Sequence, residues 1–358
     1  MKFSNFLFPA SMDANKDQQI ISETLREAQL CDALGMDMLW LAEHHFDGIC
    51  AYVDPVTFAA ALAACTQHIH IGFAVAQMSL HHPIRMAEQM ALIDNISKGR
   101  LVVGLGRGTA YNIYDYQGYG IDPKEAYERL IEAEDIMIKA WTTENYVHKG
   151  KYWDIKLPLL RPRPYTKPHP AIVRACSGEA AMLGMAREGR PFLMNIQSNQ
   201  VTQQRMDLYR KTLRESGYDE ATVARNVDNT WVWRNIFVGE TDAEAARIAM
   251  PAWETQQAFR EAMRKKVYAE QGLMLKAEAV TPARNQQPHS LLCGSPDTVA
   301  AAIAEIDKIG VGGLILVFRL GSMPIEVAEH SIKLFMQKVA PQFQRKAPPD
   351  YLRGLARQ

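Results

Sequence analysis

The sequence predicts an α/β protein folded as a (β/α)8 barrel, and three observations lead to that fold class. Short apolar or aromatic runs alternate with longer amphipathic segments along the 358 residues. The first four runs begin roughly 30–35 residues apart, the length of one strand and one helix. The first run is followed by PASMDANKD, which lacks the GxGxxG pattern expected of an open dinucleotide-binding sheet.

Eight strands are expected, separated by helices. They lie at 3–8, 38–42, 69–76, 101–105, 171–175, 192–196, 230–238 and 314–318. After the first strand, IISETLREAQLCDALG has apolar residues at helical spacing and ends in glycine. PIRMAEQMALIDNISKG, after the third strand, has the same character, and SPDTVAAAIAEIDKIG begins with a Ser cap signal. Strands that alternate with helices in this way indicate parallel βαβ units.

Two gaps between strands are long enough to hold insertions, one after strand 4 (106–171) and one after strand 7 (239–313). Within the second, residues 265–292 have weak periodicity, and long irregular segments in compact domains often serve as lids. We therefore expect one barrel domain over residues 1–345 with a lid at about 265–292. Residues 346–358 are expected to form a polar C-terminal tail.

Composition excludes several classes of protein. The chain has 40 basic and 40 acidic side chains, so it offers no general electrostatic attraction for nucleic acid or an anionic membrane surface. No apolar run approaches the roughly 18–20 residues that span a bilayer. The five cysteines are odd in number and contain no CxxC. They are predicted to be free thiols in a reducing compartment, which predicts a cytoplasmic protein.

The end of the second strand carries the sequence Glu43-His44-His45-Phe46. Catalytic groups of (β/α)8 barrels lie at the carboxyl ends of the strands. One of two adjacent histidines must face the barrel axis, where a neutral imidazole serves as a general acid or base. Two alternatives stay open: a hydrogen-bonded structural histidine, or a metal-dependent hydrolase site shared with His81 and His82.

Two further strand ends have features of an anion site. The fourth strand reads LVVGLGRGTAYN, with alternating glycines and Arg107 as a candidate anion anchor. After the fifth strand, Ser177-Gly178 precedes a helix whose N-terminus can bind phosphate. A plain N-cap serine explains Ser177 equally well. Arg129, on the next predicted helix, reaches either a phosphate or its helix neighbours Glu125 and Glu132.

LAEHHF, followed by SLHHPIRMAEQMALIDNISKGRLVVGLGRG, closely resembles the bacterial luciferase-like, flavin-dependent monooxygenases. KPHPAIVRACSGEAAMLGMAREG is similar to the phosphate-site segment of that family, and GSPDTVAAAIAEIDKIGVGGLILVF to its closing βα unit. The resemblance runs in order through nearly the whole chain.

The resemblance implies a TIM barrel that binds reduced FMN and uses O2, through a flavin hydroperoxide, to oxygenate a small and apolar substrate. A separate NAD(P)H:flavin reductase would supply the reduced flavin, and the chain would form a homodimer. His44 falls on the catalytic histidine of the family. Ala74-Val75 falls where the family often has a non-prolyl cis peptide. The implied flavin and phosphate contacts are Ala74, Val75, Arg107, Thr109, Arg129, Ser177 and Gly178.

Aromatic residues in or near the predicted strands are candidates for the substrate walls. They are Phe6, Phe8, Trp40, Phe46, Tyr111, Trp231, Trp233 and Phe318. Each is also an ordinary core residue type. The chain departs from the luciferase pattern at Cys176, where that pattern has Glu, and at Gly106, where luciferase has Cys; light emission is therefore not implied. Two flavin alternatives stay open: a deazaflavin-dependent hydride-transfer enzyme and a non-catalytic flavin-binding paralogue.

Overall fold

The computed structural model describes residues 1–11, 13–108, 112–272 and 282–343. Within these ranges the strands are β1 Lys2–Leu7, β2 Met38–Leu41, β3 His70–Phe73, β4 Ala76–Gln77, β5 Leu101–Gly106, β6 Tyr146–Lys149, β7 Asp154–Leu157, β8 Ala171–Cys176, β9 Phe192–Met194, β10 Trp231–Val238, β11 Leu291–Gly294 and β12 Gly313–Val317. The helices are α1 Asp17–Ala33, α2 Pro55–Cys65, α3 Pro83–Ser97, α4 Ile113–Gly118, α5 Ala126–Thr142, α6 Glu179–Arg187, α7 Asn199–Glu215, α8 Glu220–Asp228, α9 Asp242–Glu270, α10 Gln287–Ser290, α11 Pro296–Asp307 and α12 Ile325–Leu334.

A closed barrel of parallel strands forms the centre of the molecule. Its order around the described barrel is β1, β2, β3, β5, β8, β9, β10 and β12, and β12 pairs back onto β1. These are the eight strands predicted from sequence, so the fold class is confirmed. Strand β4 continues the path of β3 and pairs with β5, while β11 lies parallel beside the end of β10.

Local sequence signals end and begin the helices where they were expected. Gly35, with φ of 76°, follows α1, and Gly99, with φ of 86°, follows α3. Both occupy the left-handed region that favours glycine. Ser295 caps α11 because its hydroxyl accepts a hydrogen bond from the backbone N–H of Thr298.

Strand residues alternate between two apolar layers. Phe3 and Leu7 of β1 pack outward against the helices, and Phe6 packs inward among the side chains that fill the barrel. Both layers exclude water, which supplies most of the stabilising free energy of the fold.

The barrel interior is filled by two tryptophan–glycine pairs. Trp40 on β2 lies opposite Gly72 on β3, and Trp231 on β10 lies opposite Gly313 on β12. A Cβ atom added at Gly72 or Gly313 would lie 2.5 or 2.4 Å from the facing indole ring. The two indoles meet edge to face with ring centroids 5.6 Å apart. Each glycine therefore makes room for the tryptophan beside it.

The first insertion comprises α4, α5 and an antiparallel hairpin of β6 and β7. Helix α5 is fastened to the barrel by the buried carboxylate of Glu134, which pairs with Arg174 of β8 at 2.6 Å and with Arg190 at 2.7 Å. The insertion is therefore joined to the barrel wall through one charge-assisted hydrogen bond, from Arg174, and one ion pair, with Arg190.

The second insertion has regular structure at both ends of the segment predicted as a lid. Helix α9 extends to Glu270, and β11 begins at Leu291, so both ends of the predicted irregular segment 265–292 have regular structure. The helical pattern was missed because the last turns of α9, RKKVYAE, are mostly exposed and polar. Residues 273–281 of the predicted lid and the predicted tail 346–358 lie outside the described residues.

No helix among the described residues is long and apolar enough to span a bilayer. The five cysteines carry free thiols, as their number and spacing predict.

Candidate active site

The two adjacent histidines at the carboxyl end of β2 point in different directions. The His44 side chain keeps 28% of its surface exposed and lies edge-on to the Phe8 ring, with centroids 5.1 Å apart. The His45 side chain is buried and bonds Glu43 through Nε2 at 2.8 Å. His44 is thus the accessible histidine of the pair, and His45 has the structural role.

The buried carboxylate of Glu43 joins three segments around the mouth. Its Oε1 accepts hydrogen bonds from His45 Nε2 and, at 2.5 Å, from His81 Nε2, while its Oε2 accepts the backbone N–H of Gln77 at 2.5 Å. Burial acts to raise the pKa of Glu43, but these donors outweigh it and hold that pKa at about 2. The same contact raises the pKa of His81 against the effect of burial. Glu43 is therefore an ionised anchor.

A second buried carboxylate, Asp115, lies beside His44. Its Oδ1 accepts the backbone N–H of His45 at 3.0 Å. Its Oδ2 accepts Gln77 Nε2 at 2.5 Å and Asn112 Nδ2 at 3.1 Å. Asn112 Nδ2 also contacts Nδ1 of His44 at 2.9 Å. Burial raises the pKa of Asp115 despite these donors.

Burial also lowers the pKa of His44, and the guanidinium of Arg260 acts in the same direction. The carboxylates of Asp115 and Glu43 oppose that shift. A histidine with a lowered pKa is neutral at pH 7, so it has one N–H donor and one acceptor nitrogen.

The peptide bond between Ala74 and Val75 is cis, in the position that the resemblance implied. It separates β3 from β4, beside the end of β5. Packing against this bend explains two of the alternating glycines of β5. A Cβ at Gly104 would lie 1.6 Å from the carbonyl oxygen of Phe73, and one at Gly106 would lie 2.5 Å from Cγ2 of Val75. At both positions, the absence of a side chain lets the bent segment between β3 and β4 approach β5 closely.

The candidate phosphate residues follow two paired strands. Register aligns Leu105 of β5 with Arg174 of β8, so Arg107 and Ser177 leave the same edge side by side. All three groups that the sequence singled out here, Arg107, Ser177 and Gly178, are exposed or partly exposed. Gly178 is the N-cap of α6 and no side chain caps this helix start. Thr109 lies outside the described residues.

Two neighbouring expectations are modified. Arg129 bonds Glu125 at 2.8 Å and stacks on the Tyr152 ring at 4.6 Å, which is the helix-neighbour alternative left open by the sequence. Cys176, expected beside the phosphate site, turns its side chain into the layer between strands and helices. Burial raises the pKa of its thiol to about 12, so it is unreactive at neutral pH.

Three of the predicted wall residues form a continuous aromatic surface leading to His44. Trp233 contacts Phe6 with centroids 4.4 Å apart, and Phe6 stacks on Phe8 at 5.9 Å. Phe46 lies outside this surface, is 61% exposed and faces Tyr119.

The other predicted wall residues lie elsewhere. Trp40 and Trp231 fill the barrel below the mouth, and Phe318 packs outward against Phe335. Tyr111 lies outside the described residues. Alternation along the strand turns Phe318 to the outer layer, whereas Trp40 and Trp231 point inward with Trp233 and differ from it in depth along the barrel axis.

Among the described residues, no group of three or more His, Cys, Asp or Glu side chains is arranged to hold a metal ion. His45 and His81 instead share one carboxylate oxygen of Glu43.

The buried network of Gln77, Asn112 and Asp115 was missed by the sequence analysis. A signal was available for two of them, because Asn112 and Asp115 follow the GRG turn closely. Gln77 gave none, since its strand has only two residues.

Comparison with known proteins places these features in a family. The profile of the luciferase-like monooxygenases matches residues 1–312. Limonene 1,2-monooxygenase of Rhodococcus erythropolis is 27% identical over 368 residues, covering 98% of this chain and 89% of that enzyme. The oxygenase component of the flavin-dependent trigonelline monooxygenase of Acinetobacter baylyi is 31% identical over 173 residues, 48% of each chain.

Several of the curated relatives that match, the trigonelline oxygenase among them, are spanned over only 46–62% of their own length. A solved structure, that of the monooxygenase RslO1 from Streptomyces bottropensis, superimposes with a TM-score of 0.82 at 27% identity. That superposition covers 96% of this chain and 100% of that one.

Proposed function

The chain belongs to the luciferase-like monooxygenase family, and from this premise we propose that it oxygenates a small apolar molecule with reduced FMN and O2. The observation that carries the proposal is His44, the accessible histidine at the mouth. It stands at the end of the aromatic surface formed by Trp233, Phe6 and Phe8. An apolar substrate on that surface would lie within reach of a proton donor.

The residues present fit the FMN phosphate. The helix start at Gly178 has no side-chain cap, and a Cβ built there meets no atom within 4 Å, so the first N–H groups of α6 have no cap and the space beside this glycine is open. Arg107 and the Ser177 hydroxyl leave the adjacent strand ends and add a cation and a donor. Helix N-termini and guanidinium groups bind phosphate for the same electrostatic reason. Ala74 and Val75, on the strand between His44 and Arg107, would contact the isoalloxazine. Thr109 and Arg129 are proposed as further contacts, the latter through a guanidinium shared with Glu125.

When bound, reduced FMN supplies the electrons and the reaction with O2; the protein supplies position and protons. Phe6, Phe8 and Trp233 would orient an apolar substrate and displace water from it. His44, neutral because burial lowers its pKa, would exchange a proton with the reacting oxygen or with the substrate. The insertion containing α9 lies close enough to the mouth for Arg260 to influence His44. That position suits a lid around residues 265–292.

Two partners belong to the proposal. A separate NAD(P)H:flavin reductase would deliver the reduced flavin, and the printed name of the trigonelline relative, an oxygenase component, supports that division. A homodimer is supported by α2 and α3, which expose Ala61, Ala64, Leu92 and Ile96. Leu92 keeps 52% of its surface accessible, an apolar surface that a second copy would cover. The free thiols support a reducing, cytoplasmic location.

The test is oxygen incorporation. The chain is mixed with FMN, NADH and a flavin reductase under 18O2, with a panel of terpene and aromatic substrates. Product carrying 18O is expected, and titration should show FMN bound in preference to deazaflavin. Arg107→Ala should raise the FMN dissociation constant about 10–100-fold, since it removes a charge-assisted contact. Deazaflavin binding with hydride transfer, or flavin binding without any oxygenated product, would refute the proposal in favour of the corresponding alternative.

A further inference from the structure

We propose that Asn112 is a positioning residue that fixes the tautomer of His44, so that the neutral imidazole presents Nε2–H to the site. The proposal rests on the proposed function only for the role of His44, and its structural claim stands apart from flavin and substrate. Asn112 is buried and its Nδ2 lies 2.9 Å from His44 Nδ1. An amide NH2 can only donate, so Nδ1 must be the acceptor and the ring proton resides on Nε2.

The orientation of the Asn112 amide follows from its other neighbour. The same Nδ2 lies 3.1 Å from Oδ2 of Asp115. If the amide were turned over, its carbonyl oxygen would face a carboxylate oxygen across that distance. Two acceptors cannot bond each other, whereas the observed orientation lets one NH2 group serve both His44 and Asp115.

Asp115 is itself held as an acceptor. The backbone N–H of His45 donates to its Oδ1, and the Gln77 side chain donates to its Oδ2. Gln77 is held in turn, because its Nε2 also donates to the carbonyl of Glu43 at 3.1 Å. The chain of donors therefore begins at fixed backbone groups and ends at His44.

A competing group is too distant to reverse this arrangement. Oδ2 of Asp47 lies 3.8 Å from His44 Nδ1, beyond hydrogen-bond length, whereas Asn112 lies at 2.9 Å. His44 thus has its acceptor nitrogen occupied inside the protein, and the free nitrogen is the donor. A neutral N–H aimed into the site donates a hydrogen bond or a proton to a developing negative charge on oxygen.

The sharpest variant is Asp115→Asn. The new side chain must give its carbonyl oxygen to the backbone N–H of His45, which cannot reorient. Its NH2 then faces the NH2 groups of both Asn112 and Gln77, so both amides must turn over. Gln77 gives up its hydrogen bond to the carbonyl of Glu43, and Asn112 presents its oxygen to His44. The tautomer of His44 should reverse to Nδ1–H, although neither His44 nor Asn112 has been changed.

The measurement is 15N NMR of the histidine rings in the flavin-free chain, with the His44 signal assigned through His44→Gln. In the native chain Nδ1 should give the unprotonated, pyridine-type signal; in Asp115→Asn that signal should move to Nε2. Asn112→Leu, close in shape but without hydrogen-bonding groups, should give a mixture of tautomers. When Asp115→Asn is combined with Asn112→Leu, it should no longer change the tautomer of His44, because the amide that transmits its effect is gone. Asp154→Asn, an exposed carboxylate on β7, is the charge-matched control and should leave the signal unchanged.

A purely structural role for Asn112 would leave the tautomer in place in all variants that fold. Nδ1–H in the native chain, or no reversal in folded Asp115→Asn, would overturn the proposal even if oxygenation occurs. With an oxygenation assay in hand, the reversed tautomer should lower kcat about 10²–10⁴-fold, as a misplaced ring proton does elsewhere. The FMN dissociation constant should stay within about twofold.

Discussion

The two ends of the barrel are closed by different kinds of hydrogen bond. At the amino end, Arg100 donates to the carbonyls of Ala63, Thr66, Ile69 and Ser97. At the carboxyl end, side chains bond mainly to other side chains, through the carboxylates of Glu43 and Asp115. A guanidinium on backbone carbonyls keeps its charge at any pH the fold survives. A network of carboxylates and imidazoles changes its charge within that pH range.

The difference separates stability from chemistry. Backbone carbonyls are fixed by the sheet and helices, so the contacts of Arg100 at the amino end are rigid and chemically inert. The mouth uses imidazoles and carboxylates that are linked by hydrogen bonds, so a change in the protonation of one group affects its neighbours. Substitutions at the two ends should therefore change different properties, stability at the amino end and catalysis or pH dependence at the mouth, and by different amounts.

The largest effect is expected at the mouth. His44→Ala should lower the rate of coupled oxygenation about 10²–10⁴-fold, because it removes the proton donor. Flavin binding and the free energy of unfolding should change little, since the side chain is partly exposed. Product yield and peroxide release are measured together. His330→Ala, at a histidine 51% exposed on α12, is the control. Unchanged product yield would remove His44 from the mechanism.

Glu43→Gln should destabilise the fold by about 3 kcal/mol, with a pH dependence. The folded pKa of Glu43, about 2, lies below its ordinary 4.5, so its contribution is complete above pH 4.5 and lost as pH falls toward 2. The raised pKa of His81 adds stability that is present below its ordinary 6.5 and lost as pH rises through the folded value. Urea unfolding should therefore show the largest difference from the native chain between pH 4.5 and 6.5. A difference independent of pH would contradict this account.

Arg100→Lys should have the smallest effect, a loss of about 2 kcal/mol, because an ammonium replaces only some of the guanidinium contacts. The loss should be the same at pH 4 and pH 7, and kcat should be unchanged. The measurement is the same urea titration beside the oxygenation assay. A fall in kcat, or a loss that varies with pH, would mean that the two ends are not independent.

Most of the barrel could be predicted because its strands are continuous apolar runs separated by helices with glycine stops. The missed strands are short or polar. Strand β4 has two residues, β11 has four, and the eight residues of the β6–β7 hairpin include the charged Lys149, Asp154 and Lys156. Such segments form where the tertiary structure supports them, which no local pattern records.

The sequence indicated some residues of the candidate site, among them His44 and the aromatic residues Phe6, Phe8 and Trp233, but none of the connections between them. His44 and His45 are adjacent in sequence, and only the orientation of the strand in the folded barrel decides which of the two faces the mouth. Asn112 and Asp115 come close to His44 across almost 70 residues of chain. Trp231 and Trp233 both point into the barrel and differ in depth along its axis, a distinction that requires the register of the neighbouring strands. These contacts join residues that are far apart in sequence, so they exist only in the folded chain and no local pattern predicts them.

Because each glycine makes room for its tryptophan, the four interior positions are expected to vary as two coupled pairs. A glycine at position 72 or 313 can gain a side chain only after the facing indole has become smaller. Related proteins should therefore exchange these residues together, and single changes at either glycine should be rare among them. The same pairing offers a way to change the volume of the barrel interior. Trp40→Ala should open a dry cavity in the middle of the barrel, and a larger residue at position 72 should fill it again.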